Sequence, residues 1–250
     1  MSCAHARPEV SNDRFTWLGK FLYDIKPDIF FNLGDFSDMG SLSSYDTRYP
    51  RAIVSQNYER DVLVTQDAHE RMWHEFRRQK RRMPYTVFLE GNHENRIAKA
   101  ISSDPRLGGD TYGISLKHLA ISDHYDEFHP YSNSAPATVY YDGCVYAHYI
   151  SSGAWGKAME GYNHGQKLIE KLNCSVTVGH SHRFNYHVKP ESVYGPAHGL
   201  VVGCYLDADL EWAGQSNAEW SQGVVVKRNY SQGNYDLEWV SIDRIRKEYE

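Results

Sequence analysis

Four groups of side chains that commonly bind metals are spaced along the 250-residue chain. They are Asp35 and Asp38 in "GDFSD", Asn92 and His93 in "GNHE", the isolated His148, and His180 and His182 in "GHSH". Carboxylate and amide oxygens with imidazole nitrogens are ligands for Mn²⁺, Fe and Zn²⁺. Each residue alone has a plainer role, since an aspartate after glycine is common in turns and a single histidine is commonly just a hydrogen-bonded polar residue. Their occurrence together predicts a metal site.

Each group ends, or lies near the end of, a short apolar run rich in β-branched and aromatic residues. The runs are "DIFFNLGD" (28–35), "YTVFLEGNH" (85–93), "CVYAHYI" (144–150) and "CSVTVGHSH" (174–182). Near-continuous apolar runs are typical of buried sheet strands. Because residues at the carboxyl ends of strands in an open α/β sheet converge on one crevice, we expect the four groups to meet there. A glycine before the ligand allows a sharp turn and a close backbone approach.

Helical patterns alternate with these strands, which predicts an α/β fold. One helix is expected in "SNDRFTWLGKFLYDIKP", capped at Ser11 or Asn12 and stopped by Pro27, and a second in residues 59–83. A third is expected in "YNHGQKLIEKLN". Three later runs (199–206, 223–230 and 235–243) are interpreted as consecutive antiparallel strands, followed by a short helix in "DRIRKEY". No linker or repeat divides the sequence, so residues 1–250 are predicted to form a single domain.

The composition restricts the class of protein. With 41% hydrophobic and 24% charged residues, the chain should fold around a core. The net charge of -5 argues against a surface built throughout for nucleic acid. No apolar run approaches the ~20 residues of a membrane span, and the first residues do not resemble a signal peptide. Four widely spaced cysteines suit a reducing compartment, so we expect a cytoplasmic protein without a membrane partner. The sequence does not indicate an oligomeric state.

The four groups resemble the sequence blocks of the calcineurin-like metallophosphoesterase family. Those blocks usually run D-x-H, GD-x-x-D, GNH-E/D, H and GH-x-H. The resemblance extends from the start of the chain to about residue 182, and the C-terminal tail looks like that of small phage and bacterial members. It implies a two-sheet β-sandwich flanked by helices, with the metal site at the carboxyl ends of the strands.

The resemblance also implies a set of roles. The site would hold two divalent metal ions, Mn, Fe or Zn, roughly 3.5–4 Å apart, with a metal-bridging hydroxide as nucleophile. The implied ligands are His5 and His182 for the first metal, Asn92, His148 and His180 for the second, and Asp35 for both. His93 would not be a ligand. It would stabilise the transition state or protonate the leaving oxygen, and Asp38 would hold it in its charged form.

The opening residues "CAH" occupy the place of the D-x-H block. His5 matches the family's histidine, but Cys3 stands where the family has an aspartate. A Cys3 thiolate would favour softer metals such as Zn²⁺ or Fe²⁺, whereas without this ligand the first metal would be weak or absent. Only two residues precede Cys3, and the sequence leaves open whether a strand leads into this block. It also leaves open a degenerate family member acting as a binding or scaffold protein, although the presence of His93 and Asp38 favours an enzyme.

The second block narrows the substrate class. Protein phosphatases of this superfamily read GDxVDRG, and here Met39 replaces the arginine in "GDFSDMGS". Purple acid phosphatases need a tyrosine ligand that this block lacks. The remaining small members mostly cleave phosphodiesters or small phosphomonoesters, so we expect a phosphate ester as substrate, with Arg96 and His164 as candidate substrate-binding residues. Nucleic acid stays open, because six basic residues between 71 and 82 fit either a phosphate-tracking patch or a solvated helix face.

Overall fold

A computed structural model describes residues 1–43, 57–132, 135–153, 155–191 and 195–250. The helices are α1 (Asp13–Ile25), α2 (Tyr58–Arg78), α3 (Arg96–Ser103), α4 (His164–Leu172) and α5 (Ile242–Tyr249). The first strands are β1 (Ile29–Asn32), β2 (Tyr85–Leu89), β3 (Glu127–His129), β4 (Thr138–Tyr141), β5 (Cys144–Ala147) and β6 (Ser151–Ser152). The later strands are β7 (Lys157–Ala158), β8 (Ser175–Val178), β9 (Phe184–Lys189), β10 (Ala197–Val202), β11 (Gly223–Ser231) and β12 (Asn234–Ser241). The protein therefore has the mixed α/β architecture that the sequence predicts.

Most of the strands belong to two sheets. The first contains β1, β2 and β3, all parallel, in that order. The second has the order β4-β5-β8-β10-β9, with parallel strands in the middle and antiparallel strands at both edges. Val87 and Leu89 of the first sheet share one apolar cluster with Tyr146 and Leu200 of the second. The two sheets therefore pack on a common core, and the hairpin β11-β12 contributes Val225 and Leu237 to it.

The four apolar runs that precede the metal-ligand groups form strands β1, β2, β5 and β8, as predicted. The prediction of three consecutive antiparallel strands near the C-terminus is wrong in part. β11 and β12 do pair antiparallel, but β10 lies inside the five-stranded sheet and runs parallel to β8. All six residues of β10 are buried, as expected of an interior strand covered on both faces.

The helices begin close to their predicted positions. Asn12 occupies the N-cap position of α1, but its side chain makes no capping bond and instead donates to Val64 O and Asp67 Oδ2, which ties α1 to α2. α2 ends at Arg78, earlier than the predicted residue 83. Within the described ranges, no helix is both long enough and apolar enough to cross a membrane.

Residues 1–6 run beside the segment that follows β1. Cys3 N donates to Gly34 O and His5 N donates to Asp35 O, both at 2.9 Å. On the other side, Tyr205 N donates to Ser2 O at 3.0 Å. This strand-like pairing fixes the side chains of Cys3 and His5 next to Asp35.

Candidate metal centre

The structure brings seven predicted ligands together. They are Cys3, His5, Asp35, Asn92, His148, His180 and His182. The pattern of apolar runs alone predicted a crevice at the edge of one open sheet, whereas the groups come from two sheets. Asp35 and Asn92 follow strands β1 and β2 of the first sheet, whereas His148 and His180 follow β5 and β8 of the second. Because the two sheets pack face to face, the carboxyl ends of both sets of strands meet at the same edge of the core.

His148 lies at the centre of one group of candidate ligands. Its Nδ1 donates to Leu33 O at 2.6 Å, so Nε2 carries the lone pair of the neutral ring. Nε2 lies 3.1 Å from Asp35 Oδ2, 3.0 Å from Asn92 Oδ1 and 3.2 Å from His180 Nδ1. These atoms are the oxygen and nitrogen ligand types that a divalent cation prefers, so the residues present fit a metal ion at this point.

His5 lies at the centre of a second group. Its Nδ1 is 3.2 Å from the Asp38 carboxylate, which holds the ring proton there and leaves Nε2 as a lone pair. Nε2 lies 3.1 Å from Nε2 of His182. Cys3 Sγ is close enough to both histidines for the three side chains to hold one ion. This group fits a metal ion with a sulfur ligand, provided that the thiol loses its proton.

The backbone around these ligands is strained. Five of the seven have positive φ values, namely Cys3 (50°), His5 (46°), Asp35 (54°), His180 (66°) and His182 (59°). Residues with a Cβ seldom adopt this left-handed conformation, and such outliers cluster where a site depends on an exact side-chain direction. The backbone strain therefore occurs at the same residues that the side-chain types identify as candidate ligands.

Two glycines let the loops approach each other, as the sequence analysis predicted. Gly34 has a φ of 90°, and a Cβ there would lie 2.5 Å from Gly91 N. A Cβ on Gly91 would lie 2.1 Å from Asp35 N. The loop after β1 and the loop after β2 therefore touch backbone to backbone, which places Asp35 against Asn92.

Glu94 locks these two loops and was not singled out from the sequence. Its fully buried carboxylate accepts backbone hydrogen bonds from Asp35 N at 3.0 Å, Ser37 N at 2.8 Å and Gly91 N at 2.9 Å. Burial and the nearby Asp35 charge raise the pKa of Glu94 to about 7, while the Ser37 N–H acts in the opposite direction. The position of Glu94 at the end of "GNHE", among ligand-type residues, was the available signal.

His93 contacts the candidate ligands but does not belong to the group around His148 or to the group of Cys3, His5 and His182. Its backbone N donates to Asp35 Oδ1 at 2.9 Å, and its Nδ1 lies 2.8 Å from Asp38 O and 3.2 Å from Asp38 Oδ1. Arg96 donates from Nη1 to Asp38 O at 2.9 Å and brings Nη2 to 3.4 Å from His93 Nε2. Arg96 thus contacts both predicted catalytic residues, His93 and Asp38. Its role in substrate binding stays a prediction.

Burial and charge in the centre keep three of its imidazoles neutral and Asp35 ionised. Burial lowers the pKa of His180 to about 3, and His148 beside it acts in the same direction. Burial also lowers the pKa values of His5 and His182. Burial alone would raise the pKa of Asp35, but the neighbouring histidines, His148 first, hold it well below its usual range. At neutral pH the ionised Asp35 carboxylate thus faces neutral imidazoles at His5, His180 and His182. Burial also acts to lower the pKa of His148, but Asp35 and the Leu33 carbonyl more than offset this and raise it, so a metal ion at His148 competes with a proton.

A cleft of about 350 Å³ opens beside these residues. Asp35, Asn92, His93, Glu160, Gly161, His180, Ser181, His182, Arg183, Ser216 and Trp220 line it. Arg183 directly follows "GHSH", a signal that could have identified it. Trp220 meets the His182 ring edge-on at 4.5 Å between centroids, and nothing in the sequence pointed to it. A larger groove lies elsewhere, between β1 and β11, and none of the seven ligands lines it.

Two other predictions lie outside this cleft. His164 is buried at the start of α4, its Nε2 has no hydrogen-bond partner among the described residues, and it is not part of the cleft wall. Burial lowers its pKa to about 4.

Arginines of the basic run on and after α2 take protein partners: Arg71 with Asp67 and Asp13, Arg77 with Glu70, Arg78 with Glu75, and Arg81 with Tyr23 O. This pairing favours a solvated helix face over a phosphate-tracking patch.

No protein-family model matches the chain, and no curated protein shows a significant match to it.

Proposed function

We propose that this chain is a metal-dependent phosphoesterase of the calcineurin-like type, with two divalent metal ions. The observation that carries the proposal is the cluster around His148, where Nε2 lies within 3.2 Å of the Asp35 carboxylate, Asn92 Oδ1 and His180 Nδ1. A cation at this point would be bound by all four groups. Burial makes such a cluster costly unless its polar atoms find a partner.

Each of the two groups can supply four ligands. The first would take Cys3, His5, Asp35 and His182, and the second would take Asp35, Asn92, His148 and His180. Asp35 belongs to both because its Oδ2 faces His148 and its carboxylate also lies near Cys3 and His5. The thiol makes the first position softer than the second, so Zn²⁺ or Fe²⁺ suits the first and Mn²⁺ also suits the second.

Two cations held by these residues would acidify water and neutralise the charge that grows on the phosphoryl oxygens. The chain's own residues supply the remaining functions. His93 lines the cleft, and its Nδ1 is fixed by Asp38. Its Nε2 faces Arg96 Nη2 at 3.4 Å, so it would have to turn from that long contact to transfer a proton to the leaving oxygen. Burial lowers the pKa of His93, but Asp35 and Asp38 more than offset this, so the net shift is upward and favours the charged acid.

The cleft favours a phosphate ester that carries an organic group. Its volume of about 350 Å³ exceeds what an inorganic phosphate needs, and Trp220 offers an apolar surface next to His182. Arg183 is a cation in the same wall, and it is paired with Glu219 and stacked over the Tyr162 ring. We propose a small phosphodiester or phosphomonoester as substrate, since the paired arginines of α2 give no support to a long nucleic-acid track.

Metal analysis combined with turnover of bis(p-nitrophenyl) phosphate tests the proposal. Wild-type protein should bind two metals per chain and hydrolyse the diester, and Asp35→Ala should lose metal and turnover together. Asp209→Ala is the matched control, because Asp209 is exposed and does not line the cleft. Activity of Asp35→Ala within a few-fold of wild type would overturn the two-metal assignment. No metal and no turnover in the wild type would indicate a binding or scaffold protein, and one metal without turnover a structural metal site.

A further inference from the structure

Arg14 of α1 carries a buried positive charge against the "CAH" block. Its side chain is fully buried, and no carboxylate among the described residues forms an ion pair with it. Nη2 donates to Ala4 O at 2.8 Å and to His5 O at 3.3 Å, and Nη1 donates to Ser11 O at 3.2 Å. Buried arginines are seldom found without a carboxylate partner, because the charge loses its hydration. Here backbone carbonyls take the place of that partner.

Two of these carbonyls lie on either side of the His5 Cα atom. They belong to the peptide groups that precede and follow it, and the orientations of these two planar groups define φ and ψ of His5. His5 has a φ of 46°, in the left-handed region that residues with a Cβ seldom adopt. Such a conformation persists only where the surroundings hold it. A single guanidinium bound to both carbonyls therefore fixes the direction of the His5 side chain.

Tyr205 holds the preceding part of the same segment. Its backbone N donates to Ser2 O at 3.0 Å and to Cys3 O at 3.2 Å. Its buried Oη donates to Arg14 O at 2.8 Å, which ties the two residues to each other. The four consecutive carbonyls of residues 2–5 are thus all bound by Arg14 or Tyr205. We call this pair of residues the Arg14–Tyr205 clamp.

The positive charge strengthens the clamp. Burial lowers the pKa of Arg14 to about 10, so the guanidinium stays protonated at neutral pH. Hydrogen bonds from an ionised donor are roughly twice as strong as those between neutral groups. Asp207 acts on the Arg14 charge but forms its ion pair with Arg246. The hydrogen bonds of the Arg14 cation therefore go to the backbone, including that of the ligand block.

The clamp contacts only one of the two candidate ligand groups. Cys3 and His5 belong to the first group, and their carbonyls are the ones that the clamp binds. The second group is held by other contacts, such as the bond from His148 Nδ1 to Leu33 O. Within the described ranges, neither residue of the clamp forms a hydrogen bond with Asn92, His148 or His180. Loosening the clamp should therefore affect the first metal position.

We propose that Arg14 is a positioning residue that sets the affinity of the first metal position by fixing the backbone of His5. The proposal rests on the metal centre of the proposed phosphoesterase, but it concerns metal binding rather than turnover. General support of α1 is the plainer role for Arg14, and its loss would weaken both metal positions through the stability of the fold. The two roles therefore differ in whether the loss of affinity is confined to one position.

Competition with a chelator measures the affinity of each position for Zn²⁺. Co²⁺ gives a second readout, because a thiolate-to-cobalt absorption band can arise only at the position that contains Cys3. Arg14→Met removes the donors and keeps an unbranched chain. It should weaken the first metal by about 10–100-fold, the usual cost of losing a residue that orients a ligand, and should reduce the cobalt band while the second affinity is unchanged. Arg14→Lys keeps a charged donor and should recover part of the affinity.

Arg81→Met is the matched control. Arg81 also donates to a backbone carbonyl, Tyr23 O at 3.0 Å, and its guanidinium also lies over an aromatic ring. It forms no hydrogen bond with residues 1–6 in the described part of the chain. Both metal affinities and the cobalt band should stay as in the wild type.

Several outcomes would overturn the proposal. Affinities in folded Arg14→Met equal to those of the wild type would do so, as would equal weakening at both positions together with a fall in Tm. Tyr205→Phe loses only the bond to Arg14 O and should weaken the first metal by at least about threefold, so unchanged affinity there overturns the proposal even where Arg14→Met does not fold. Selective loss of the first metal without bis(p-nitrophenyl) phosphate turnover in the wild type would support the positioning role and refute the proposed activity. A wild type that binds no metal would refute both.

Discussion

Replacing Gly91 by alanine tests whether the close approach of two loops builds the metal centre. Gly91 does not have a positive φ, so alanine meets no conformational strain there. The added Cβ would instead lie 2.1 Å from Asp35 N, 2.2 Å from Asp35 Oδ1 and 2.8 Å from Glu94 Oε2. Because ordinary contacts to a Cβ begin at 3.4 Å, Asp35 must retreat by about 1.3 Å. The substitution therefore displaces the shared ligand without changing any ligand residue.

The structure sets the size of the effect. Inserting a methyl group into a packed site costs about 1–3 kcal/mol, and the reduced entropy of the unfolded chain offsets about 0.4–1 kcal/mol of this. A net loss of about 1–2 kcal/mol lowers Tm by roughly 2–8 °C in a chain of this length. Turnover should fall further, by about 100-fold, since a misplacement of 1 Å has that effect in other active sites.

The assay compares bis(p-nitrophenyl) phosphate turnover, metal content and thermal unfolding. Gly156→Ala is the matched control, because Gly156 has a φ of 64° and nothing lies within 4 Å of its added Cβ. The control should lose some stability through backbone strain while keeping turnover and both metals. Turnover of Gly91→Ala within threefold of wild type, with unchanged metal content, would show that the loop contact does not position Asp35.

Two further variants separate the roles of individual side chains. His93→Ala should keep both metals and lower turnover by ~10²–10⁴-fold, as expected for a proton-transfer residue, and loss of metal in this variant would instead identify His93 as a ligand. Cys3→Asp should strengthen binding of the first metal and favour Mn²⁺, so a chelator should remove the metals from wild type in two steps, the first site before the second. Removal of two equally tight metals from wild type, with no change in Cys3→Asp, would show that the cysteine does not weaken the site.

Strand positions and ligand candidates could be predicted because both depend on local patterns. Apolar runs identified β1, β2, β5 and β8, and the ligand-type residues just beyond them converge in the structure. The resemblance implied two sheets, but which strand belongs to which sheet could not be predicted from local patterns, since it depends on pairing over long sequence separations. β10 shows the same limit: its apolar run identified a strand, but only its burial on both faces placed it inside the second sheet.

Residues that act through the backbone or through tertiary packing were the hardest to foresee. Trp220 lies 38 positions after His182, and only the fold brings the two rings to 4.5 Å. His164 was expected near the substrate because it starts the helix before β8, but the orientation of that helix buries it instead. Glu94 was visible in "GNHE", yet its three bonds to backbone N–H groups depend on a loop contact that no sequence pattern encodes.

The surroundings of Cys3 explain why its effect should fall on the first metal. Its Sγ is fully buried, accepts from His180 N at 3.2 Å and packs in an apolar cluster with Cys204 and Leu206. Burial, reinforced by the Asp35 charge, raises the pKa of this thiol well above its usual value. A metal at the first position must therefore displace a proton from Cys3, whereas an aspartate in its place is a much stronger acid than a thiol and gives up its proton to a metal more readily. Affinity at the first position should consequently rise with pH in the wild type and depend less on pH in Cys3→Asp, a contrast that the chelator titration repeated at several pH values measures directly.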